Sequence, residues 1–151
     1  MQRITIRTAL VSDQKVLEQI QWRASLNNPG DRESLLAHPD AIELSLQQIA
    51  GGGVFVAEIA GTAQGFAAIL PRDDGAAELD ALFVEPAAWR QGIGRALVEH
   101  CCSSAKATGA VWLHVIGNPH AEHFYTSCGF ETLGTQQMRF GVGLVMRRDL
   151  R

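Results

Sequence analysis

A strand, a loop and a helix follow one another in Phe83-Val84-Glu85-Pro86-Ala87-Ala88-Trp89-Arg90-Gln91-Gly92-Ile93-Gly94-Arg95-Ala96. The strand begins near Ala77, and Glu85-Pro86 ends it because proline has no N–H to donate to a neighbouring strand. Apolar residues then recur at helical spacing from Ile93 to Ala105, and Gly109 provides the stop. The sequence therefore predicts a glycine-containing loop between a strand and a long helix.

The beginning of this helix has the features of an anion site. Helix N-termini carry N–H groups without intrahelical acceptors and a partial positive charge. Gly92 and Gly94 lack Cβ atoms, so a phosphate can approach the backbone, and Arg90 and Arg95 add positive charge. A tight turn that only packs the helix against the sheet is the alternative. The Walker A loop and the Rossmann fingerprint are excluded, because Arg95-Ala96 is not Lys-Ser/Thr and position 97 is leucine.

The flanking sequence predicts a mixed α/β chain. A strand–helix–strand crossover covers residues 77–115. Ser12 and Asp13 offer an N-cap for a helix that ends near Leu26, and Gly61-Thr62 offers the turn of a hairpin. The other expected elements are strands at 3–8, 54–59, 64–70, 130–136 and 140–149, a helical region at 31–49 with a break at His38-Pro39, and a helix from Asn118-Pro119 to Cys128-Gly129.

Composition bounds the class of protein. The chain has 151 residues, 46% apolar and 19% charged, which suits one globular domain over residues 1–151. The net charge of −3 does not favour non-specific binding to nucleic acid. No apolar run approaches the ~20 residues of a membrane span, and the N-terminal segment lacks a signal peptide's apolar stretch, so we expect a cytoplasmic protein. Three cysteines without framework spacing, Cys101, Cys102 and Cys128, predict buried thiols rather than disulfides.

The strand–loop–helix segment resembles a known family. Leu82-Phe83-Val84-Glu85-Pro86, followed by Gly92-Ile93-Gly94-Arg95-Ala96-Leu97, is similar to motif A of the GNAT superfamily of N-acetyltransferases. The usual form is glutamine or arginine, two residues, glycine, one residue, then glycine or alanine. This chain departs at the first position, which is Trp89, so no phosphate contact is assigned to that side chain.

A second stretch resembles motif B of the same family. Residues 113–130 contain a strand, Asn118, Ala121, Phe124-Tyr125 on a helix and a closing Gly129-Phe130, at the spacing of the family. Together the two motifs cover the C-terminal half, while the N-terminal half is generic. The resemblance implies an α/β fold (α+β in some schemes): a central, mixed and mostly antiparallel twisted sheet of about seven strands with helices on both faces and a splayed parallel strand pair.

The resemblance also implies acetyl-CoA as the acyl donor. The parallel strands are expected to be those at 77–84 and 111–115, with pantetheine in the gap between them. Backbone groups of Leu82, Phe83 and Val84 are expected to pair with its amides, and Asn118 to contact it. The pyrophosphate is expected to lie on Arg90, Gln91, Gly92, Ile93, Gly94, Arg95 and Ala96.

Transfer of an acyl group from sulfur to nitrogen needs a base for the amine and an acid for the thiolate. Glu78 and Asp80 lie two residues apart on a strand, so they share a face, and Glu78 matches the position where some members of the family carry a catalytic glutamate. Asp80, or water alone, is the alternative base, and acids on a partly solvated face are the structural alternative. Tyr125 is the expected acid and also contacts the cofactor, with Phe124 packed inward beside it.

Several points stay open at the level of sequence. The acceptor is a small amine or a peptide amine, and Trp22 with the loop at 27–31 is a candidate acceptor pocket. His114 is placed on the solvent face or in the acceptor cleft. His120 and His123 share one helix, but no acid or thiol joins them at motif spacing, so no metal is expected. We expect no nucleic-acid or membrane partner, and a homodimer stays open. A sensor that binds acyl-CoA without turnover is the alternative function.

Overall fold

The structure is a computed structural model that describes residues 3–28, 31–139 and 141–151. The α-helices are α1 (Gln14–Asn27), α2 (Asp31–Ala37), α3 (Leu46–Ala50), α4 (Ile93–Ala107) and α5 (Glu122–Ser127). The strands are β1 (Ile4–Thr8), β2 (Val54–Ile59), β3 (Thr62–Pro71), β4 (Ala77–Val84), β5 (Trp112–Gly117), β6 (Glu131–Met138) and β7 (Gly141–Asp149). Parts of the predicted loop at 27–31 (Pro29 and Gly30) and the predicted beginning of the last strand (Phe140) lie outside the described residues.

The strands form a seven-stranded sheet in the order β1-β2-β3-β4-β5-β7-β6. β4 and β5 are parallel, whereas β1–β2, β2–β3, β5–β7 and β6–β7 are antiparallel. The parallel register comprises Ala77↔Leu113, Glu78↔His114 and Leu79↔Val115, although β4 continues to Val84. The predicted fold class, a mostly antiparallel mixed sheet with one parallel pair, is confirmed.

The chain divides into two compact units, residues 1–68 with 81–100, and residues 69–80 with 101–151. In the first unit, α1 buries Leu17 and Ile20 against Val54 and Val56 of β2 and Phe66 of β3. In the second, the buried side chains include Leu113, Val115, Tyr125, Phe130 and Met146. The assignment of residues 1–151 to one domain stays a prediction.

Most of the predicted local structure is confirmed. The β2–β3 hairpin is present, but it turns at Ala60 and Gly61 (φ 52° and 79°) rather than at the predicted Gly61-Thr62, because Thr62 already pairs with Ile59. The helical region at 31–49 does break after His38, where Pro39–Ala41 forms a 3₁₀ turn, but the α-helix resumes only at Leu46. The three cysteines are buried thiols rather than disulfides, as predicted. Within the described residues no helix is long and apolar enough to cross a membrane.

The predicted N-cap at Ser12 and Asp13 is wrong. Asp13 makes no side-chain cap to α1. Its carboxylate instead accepts a hydrogen bond from the backbone N–H of Leu10 (2.7 Å) and pairs with Arg7 of β1 (2.8 Å). This pair holds the pKa of Asp13 below its usual range, mainly through the hydrogen bond from Arg7. The charged partner on a neighbouring strand outcompetes the helix amides for the carboxylate.

Candidate functional site

The loop between β4 and α4 (residues 85–92, the β4–α4 loop) is fixed where it leaves the sheet. The backbone N–H of Glu85 donates to the carbonyl of Gln64 on β3 (2.8 Å). The Glu85 carboxylate accepts two hydrogen bonds from Arg23 of α1, at 2.7 and 2.8 Å. A 3₁₀ turn, Pro86–Ala88, follows directly. The first part of the loop therefore has a defined position relative to both α1 and the sheet.

Two residues with positive φ turn this loop into the helix. They are Arg90 (φ 66°) and Gly92 (φ 84°). A left-handed conformation is uncommon for arginine, whereas glycine adopts it without cost. A Cβ atom added at Gly92 would meet nothing within 4 Å, so the space above this residue is open. The conformation of the backbone, rather than crowding, accounts for the glycine.

Helix α4 begins at this open position. Its first hydrogen bond runs from the N–H of Ala96 to the carbonyl of Gly92 (3.0 Å), so the amides of Ile93 and Gly94 come before any intrahelical bond. The side chains of Arg90 and Arg95 are exposed at the same end of the helix. These amides, the partial positive charge of the helix and the two guanidinium groups form an environment suited to an anion.

Trp89 has a role that its place in the motif did not reveal. Its indole N–H donates to the backbone carbonyl of Val84 (2.8 Å), while 39% of the residue's surface stays exposed. The backbone N–H of Glu85 points toward β3, where it donates to Gln64. Because the backbone groups of successive strand residues point to opposite sides, the carbonyl of Val84 points away from β3. Trp89 thus ties the β4–α4 loop to the side of β4 that faces away from β3. The carbonyl of Val84 already has a partner there.

We expect Trp89→Phe to loosen this loop. The substitution keeps an aromatic ring but removes the N–H, which leaves the Val84 carbonyl unpaired and costs about 1 kcal/mol. Amide hydrogen exchange of residues 87–92 should become faster, since the tie to β4 is lost. Trp112→Phe, a substitution of a tryptophan packed under Arg147, is the matched control. Unchanged exchange in the Trp89 variant would show that the indole bond does not hold the loop.

The predicted base candidates differ in their surroundings. Glu78 is half-buried and Asp80 is exposed. The carboxylate of Glu78 lies 3.8 Å from the Arg72 guanidinium, which also pairs with Asp74 at 3.2 Å. Arg72, Asp74 and Glu78 line an open cavity of about 400 Å³ together with Pro71 and Asp73. Glu78 therefore borders a space that solvent or a ligand can enter.

His114 stands beside Glu78 in the parallel register of β4 and β5. Burial, followed by the positive charge of Arg72, lowers the pKa of His114 from its ordinary value of 6.5. The imidazole is therefore neutral at pH 7 and can accept a proton. The sequence placed His114 only on the solvent face or in the acceptor cleft. The long-range register that brings it next to Glu78 has no local sequence signal.

Tyr125 is buried, with 8% of its surface exposed. Its ring makes edge contacts with Phe124 (centroids 5.2 Å apart) and Phe130 (5.6 Å). The expectation that Phe124 is the inward-packed ring beside Tyr125 is wrong, because Phe124 is only half-buried and Tyr125 is the buried ring. The closing turn Cys128-Gly129 brings Phe130 back against the tyrosine ring and covers it.

The hydroxyl group of Tyr125 differs from its ring. The hydroxyl has no hydrogen-bond partner among the described residues. Every fully buried side-chain oxygen or nitrogen atom of those residues does have a partner. The hydroxyl oxygen consequently reaches solvent at the edge of a buried ring. Burial, with a smaller contribution from Cys128, raises the pKa of Tyr125 above its ordinary value, so the hydroxyl keeps its proton throughout the neutral range.

Asn118 caps the segment that leads to Tyr125. Its side-chain oxygen accepts from the backbone N–H of His120 (2.9 Å), at the beginning of the 3₁₀ turn Pro119–Ala121 that precedes α5. This confirms the predicted capping role of Asn118-Pro119. His120 and His123 are exposed, and the described residues contain no group of three or more histidine, cysteine or acidic side chains placed to hold a metal ion.

Trp22 of the first unit borders a separate open cavity. The volume is about 280 Å³, and the other lining residues are Lys15, Glu18, Gln19, Pro39 and Ile42. The Glu18 carboxylate in this wall accepts a hydrogen bond from the backbone N–H of Leu44 (2.8 Å). The structure thus gives Trp22 a place in a cavity, and its role in acceptor binding stays a prediction.

The loop and helix geometry agrees with comparisons to known proteins. The Acetyltransferase (GNAT) family profile matches residues 17–130. The chain belongs to this family. No curated protein sequence matches this GNAT chain.

Solved structures share the GNAT fold over nearly the whole chain. One is yncA from Salmonella typhimurium with its cofactor acetyl-CoA (22% identity, 99% of this chain and 95% of that one, TM-score 0.73). Another is the PaiA N-acetyltransferase from Thermoplasma acidophilum in complex with coenzyme A (19%, 97% and 99%, TM-score 0.75). A third is the ribosomal-protein-S18-alanine N-acetyltransferase from Escherichia coli (23%, 98% and 94%, TM-score 0.71).

Proposed function

We propose that this GNAT protein transfers an acetyl group from acetyl-CoA to a primary amine of a small molecule or peptide, by direct attack in a ternary complex. The observation that carries the proposal is the β4–α4 loop. It turns at Gly92 into the beginning of a long helix, with open space above the glycine and exposed Arg90 and Arg95 beside it. Two of the similar structures hold acetyl-CoA or coenzyme A, which supports the same donor here.

In this proposal the donor's pyrophosphate binds to Arg90 and to the backbone amides of residues 91–96. Pantetheine pairs with the backbone of Leu82 and Val84, and Asn118 contacts it as well. The backbone groups of Phe83 alternate to the side of β3, so the pairing expected at this residue is not part of the proposal. Because the carbonyl of Val84 already accepts from Trp89, the pantetheine contact at Val84 falls to its N–H, which points to the same side.

The proposed reaction transfers the acetyl group from sulfur to nitrogen. The ammonium group of the acceptor loses a proton to the base, and the nitrogen lone pair attacks the thioester carbon. The tetrahedral intermediate collapses with cleavage of the carbon–sulfur bond, the nitrogen releases its second proton to solvent, and the thiolate takes a proton from the Tyr125 hydroxyl. Tyr125 then regains a proton from solvent. A thioester is reactive enough that positioning supplies much of the rate, so no covalent intermediate on the protein is needed.

Two groups are candidates for the base, acting directly or through water. Glu78 borders the open cavity next to Arg72, and His114 is its neighbour in the register, neutral at pH 7. A carboxylate and a neutral imidazole on adjacent strands can pass a proton from the amine to solvent. Asp80 is less suited because it is exposed, where water competes for the same proton.

We expect Glu78→Gln to lower turnover more at low pH than at high pH. A deprotonated acceptor amine no longer needs the base, so the loss should shrink as pH rises toward the pKa of the amine. Asp80→Asn, the same chemical change two residues along the strand, is the matched control. His114→Gln tests the neighbouring imidazole. An equal loss at every pH in the Glu78 variant would assign Glu78 to binding or structure.

The alternative function is a sensor that binds acyl-CoA without turnover. A free-thiol assay over a panel of small amines and peptides separates the two, because only a catalyst releases coenzyme A in an amine-dependent way. The protein's own thiols give little background, since Cys101, Cys102 and Cys128 are buried and burial raises the pKa of Cys101 to about 12. Binding of acetyl-CoA without thiol release for any amine would favour the sensor.

A further inference from the structure

The last residue of β5, Gly117, lies against the ring of Tyr125. A Cβ atom built at Gly117 would come within 3.0 Å of Cε2 and 3.3 Å of Cδ2 of that ring. Contacts of this length are tighter than most real Cβ contacts, so the ring would have to shift by a few tenths of an ångström to accept the methyl group. The backbone of Gly117 does not have a positive φ, so no turn geometry demands glycine at this position. The space taken by the tyrosine ring is the reason for the missing side chain.

The ring cannot easily move away from an added methyl group. Phe124 and Phe130 contact it edge-on, with interplanar angles of 73° and 72°. The carbonyl of Tyr125 also accepts hydrogen bonds from the backbone N–H groups of Cys128 (3.0 Å) and Phe130 (3.1 Å). The ring is thus enclosed by two aromatic side chains and one strand backbone, and its own main chain is fixed by the closing turn.

We propose that Gly117 is a positioning residue: its lack of a side chain sets the place of the Tyr125 ring and thereby the point at which the hydroxyl meets the thioester sulfur. This inference rests on the proposed role of Tyr125 as the acid. A proton donor acts over a hydrogen-bond distance, so a displacement of a few tenths of an ångström at the ring is transmitted to the donor. Gly117 touches no reacting atom and acts only through Tyr125.

Tyr125 is the only tyrosine of the chain, which gives the test a direct readout. Tyrosine labelled with ¹³C at Cζ produces one resonance, whose pH titration reports the hydroxyl of Tyr125. In Gly117→Ala we expect this resonance to shift and its pKa to move down toward the ordinary value of about 10, because the ring is pushed toward solvent. Gly134→Ala adds the same methyl group in β6, where nothing lies within 4 Å, and should leave the resonance unchanged.

The kinetic test uses the same samples. Gly117→Ala should lower kcat about 10- to 100-fold with little change in the KM for acetyl-CoA, since only the position of the acid changes. Combined with Tyr125→Phe it should cause almost no further loss, because the group that it positions is already gone. A Gly117→Ala enzyme with wild-type kcat, while Tyr125→Phe is impaired, would overturn the inference about Gly117 alone.

Two further outcomes separate the inference from the proposed function. If Tyr125→Phe keeps full turnover, Tyr125 is not the acid and the catalytic part of the inference falls with it. If Gly117→Ala does not fold, the contact between Gly117 and the Tyr125 ring can still be tested in the wild-type protein. Nuclear Overhauser contacts between the Gly117 Hα protons and the Tyr125 ring are expected, and their absence would refute the positioning.

Discussion

Tyr125→Phe is expected to lower the turnover number by roughly 10²- to 10⁴-fold while acetyl-CoA affinity and the fold are retained. The substitution removes one oxygen atom and leaves the ring. The contacts of the ring with Gly117, Phe124 and Phe130 stay as they are. The hydroxyl has no hydrogen-bond partner among the described residues, so its removal leaves no protein group unsatisfied. A loss of rate in this variant therefore reports chemistry rather than packing.

The pH dependence of this loss distinguishes the acid from the base. Because burial raises the pKa of Tyr125, the hydroxyl carries its proton at every pH of an ordinary assay. The ratio of wild-type to Tyr125→Phe turnover should therefore be the same at pH 6 and pH 9. The corresponding ratio for Glu78→Gln should fall as pH rises. A Tyr125 ratio that changes strongly with pH would mean that the hydroxyl is not a simple proton donor.

The raised pKa of Tyr125 also has a consequence for stability. The pKa of Tyr125 is higher in the folded chain than its value of about 10 in the unfolded chain. The resulting contribution of Tyr125 to the free energy of unfolding is complete below pH 10. It is lost as pH rises further, because the unfolded chain then ionises first. Tyr125→Phe lacks this group and should lose less stability above pH 10 than the wild type. Turnover, acetyl-CoA affinity and alkaline unfolding can be measured on one sample. Wild-type turnover with a good acceptor would remove Tyr125 from the mechanism.

Elements set by local chemistry could be read from the sequence. The strand–loop–helix unit, the β2–β3 hairpin and the Asn118 cap each depend on residues close in the chain, although the hairpin turns at Ala60-Gly61, one residue before the predicted Gly61-Thr62. Asp13 shows where such reasoning fails. Its local pattern is that of an N-cap, but Arg7 on β1 provides a charged partner, and a charge-assisted hydrogen bond is stronger than one to a neutral amide.

The candidate site was predictable in part for the same reason. The motif resemblance placed the glycines and Tyr125 at defined positions, but it carried no information about Trp89, whose indole meets a carbonyl of the preceding strand. The neighbourhood of Glu78 and His114 depends on the register of two parallel strands joined by a long crossover. The burial of Tyr125 relative to Phe124 depends on Phe130, which returns after the helix has ended. These contacts are made by tertiary packing, which local periodicity does not encode.

Gly92→Glu is expected to abolish the stabilisation that acetyl-CoA gives to the native protein. A ligand at 100 times its Kd stabilises a protein by about 2.7 kcal/mol, which is readily seen as a rise in Tm. The glutamate side chain would occupy the open space above residue 92, beside the helix amides, and bring a negative charge to the place proposed for the pyrophosphate. Charge repulsion and steric exclusion act in the same direction, so little binding should remain.

The cost of the substitution to the backbone must be separated from its effect on binding. Gly92 has a φ of 84°, and any residue with a Cβ atom is strained there by about 1 kcal/mol. Gly52 is the matched control: its φ is 85°, nothing lies within 4 Å of an added Cβ, and it lies in the turn before β2. Gly52→Glu should lower the Tm without ligand as Gly92→Glu does, yet keep the full shift with acetyl-CoA.

Gly92→Gln then isolates the effect of the negative charge on binding, since glutamine has nearly the same size as glutamate and causes the same backbone strain at this position. If the loop binds pyrophosphate, the glutamine variant should retain part of the acetyl-CoA shift and the glutamate variant none, and the gap between them should narrow as salt screens the charge. Equal shifts in the wild type and Gly92→Glu would place the pyrophosphate elsewhere. No shift in the Tm of the wild type at millimolar acetyl-CoA would instead refute the proposed transferase, because the unaltered loop would then bind no acyl donor.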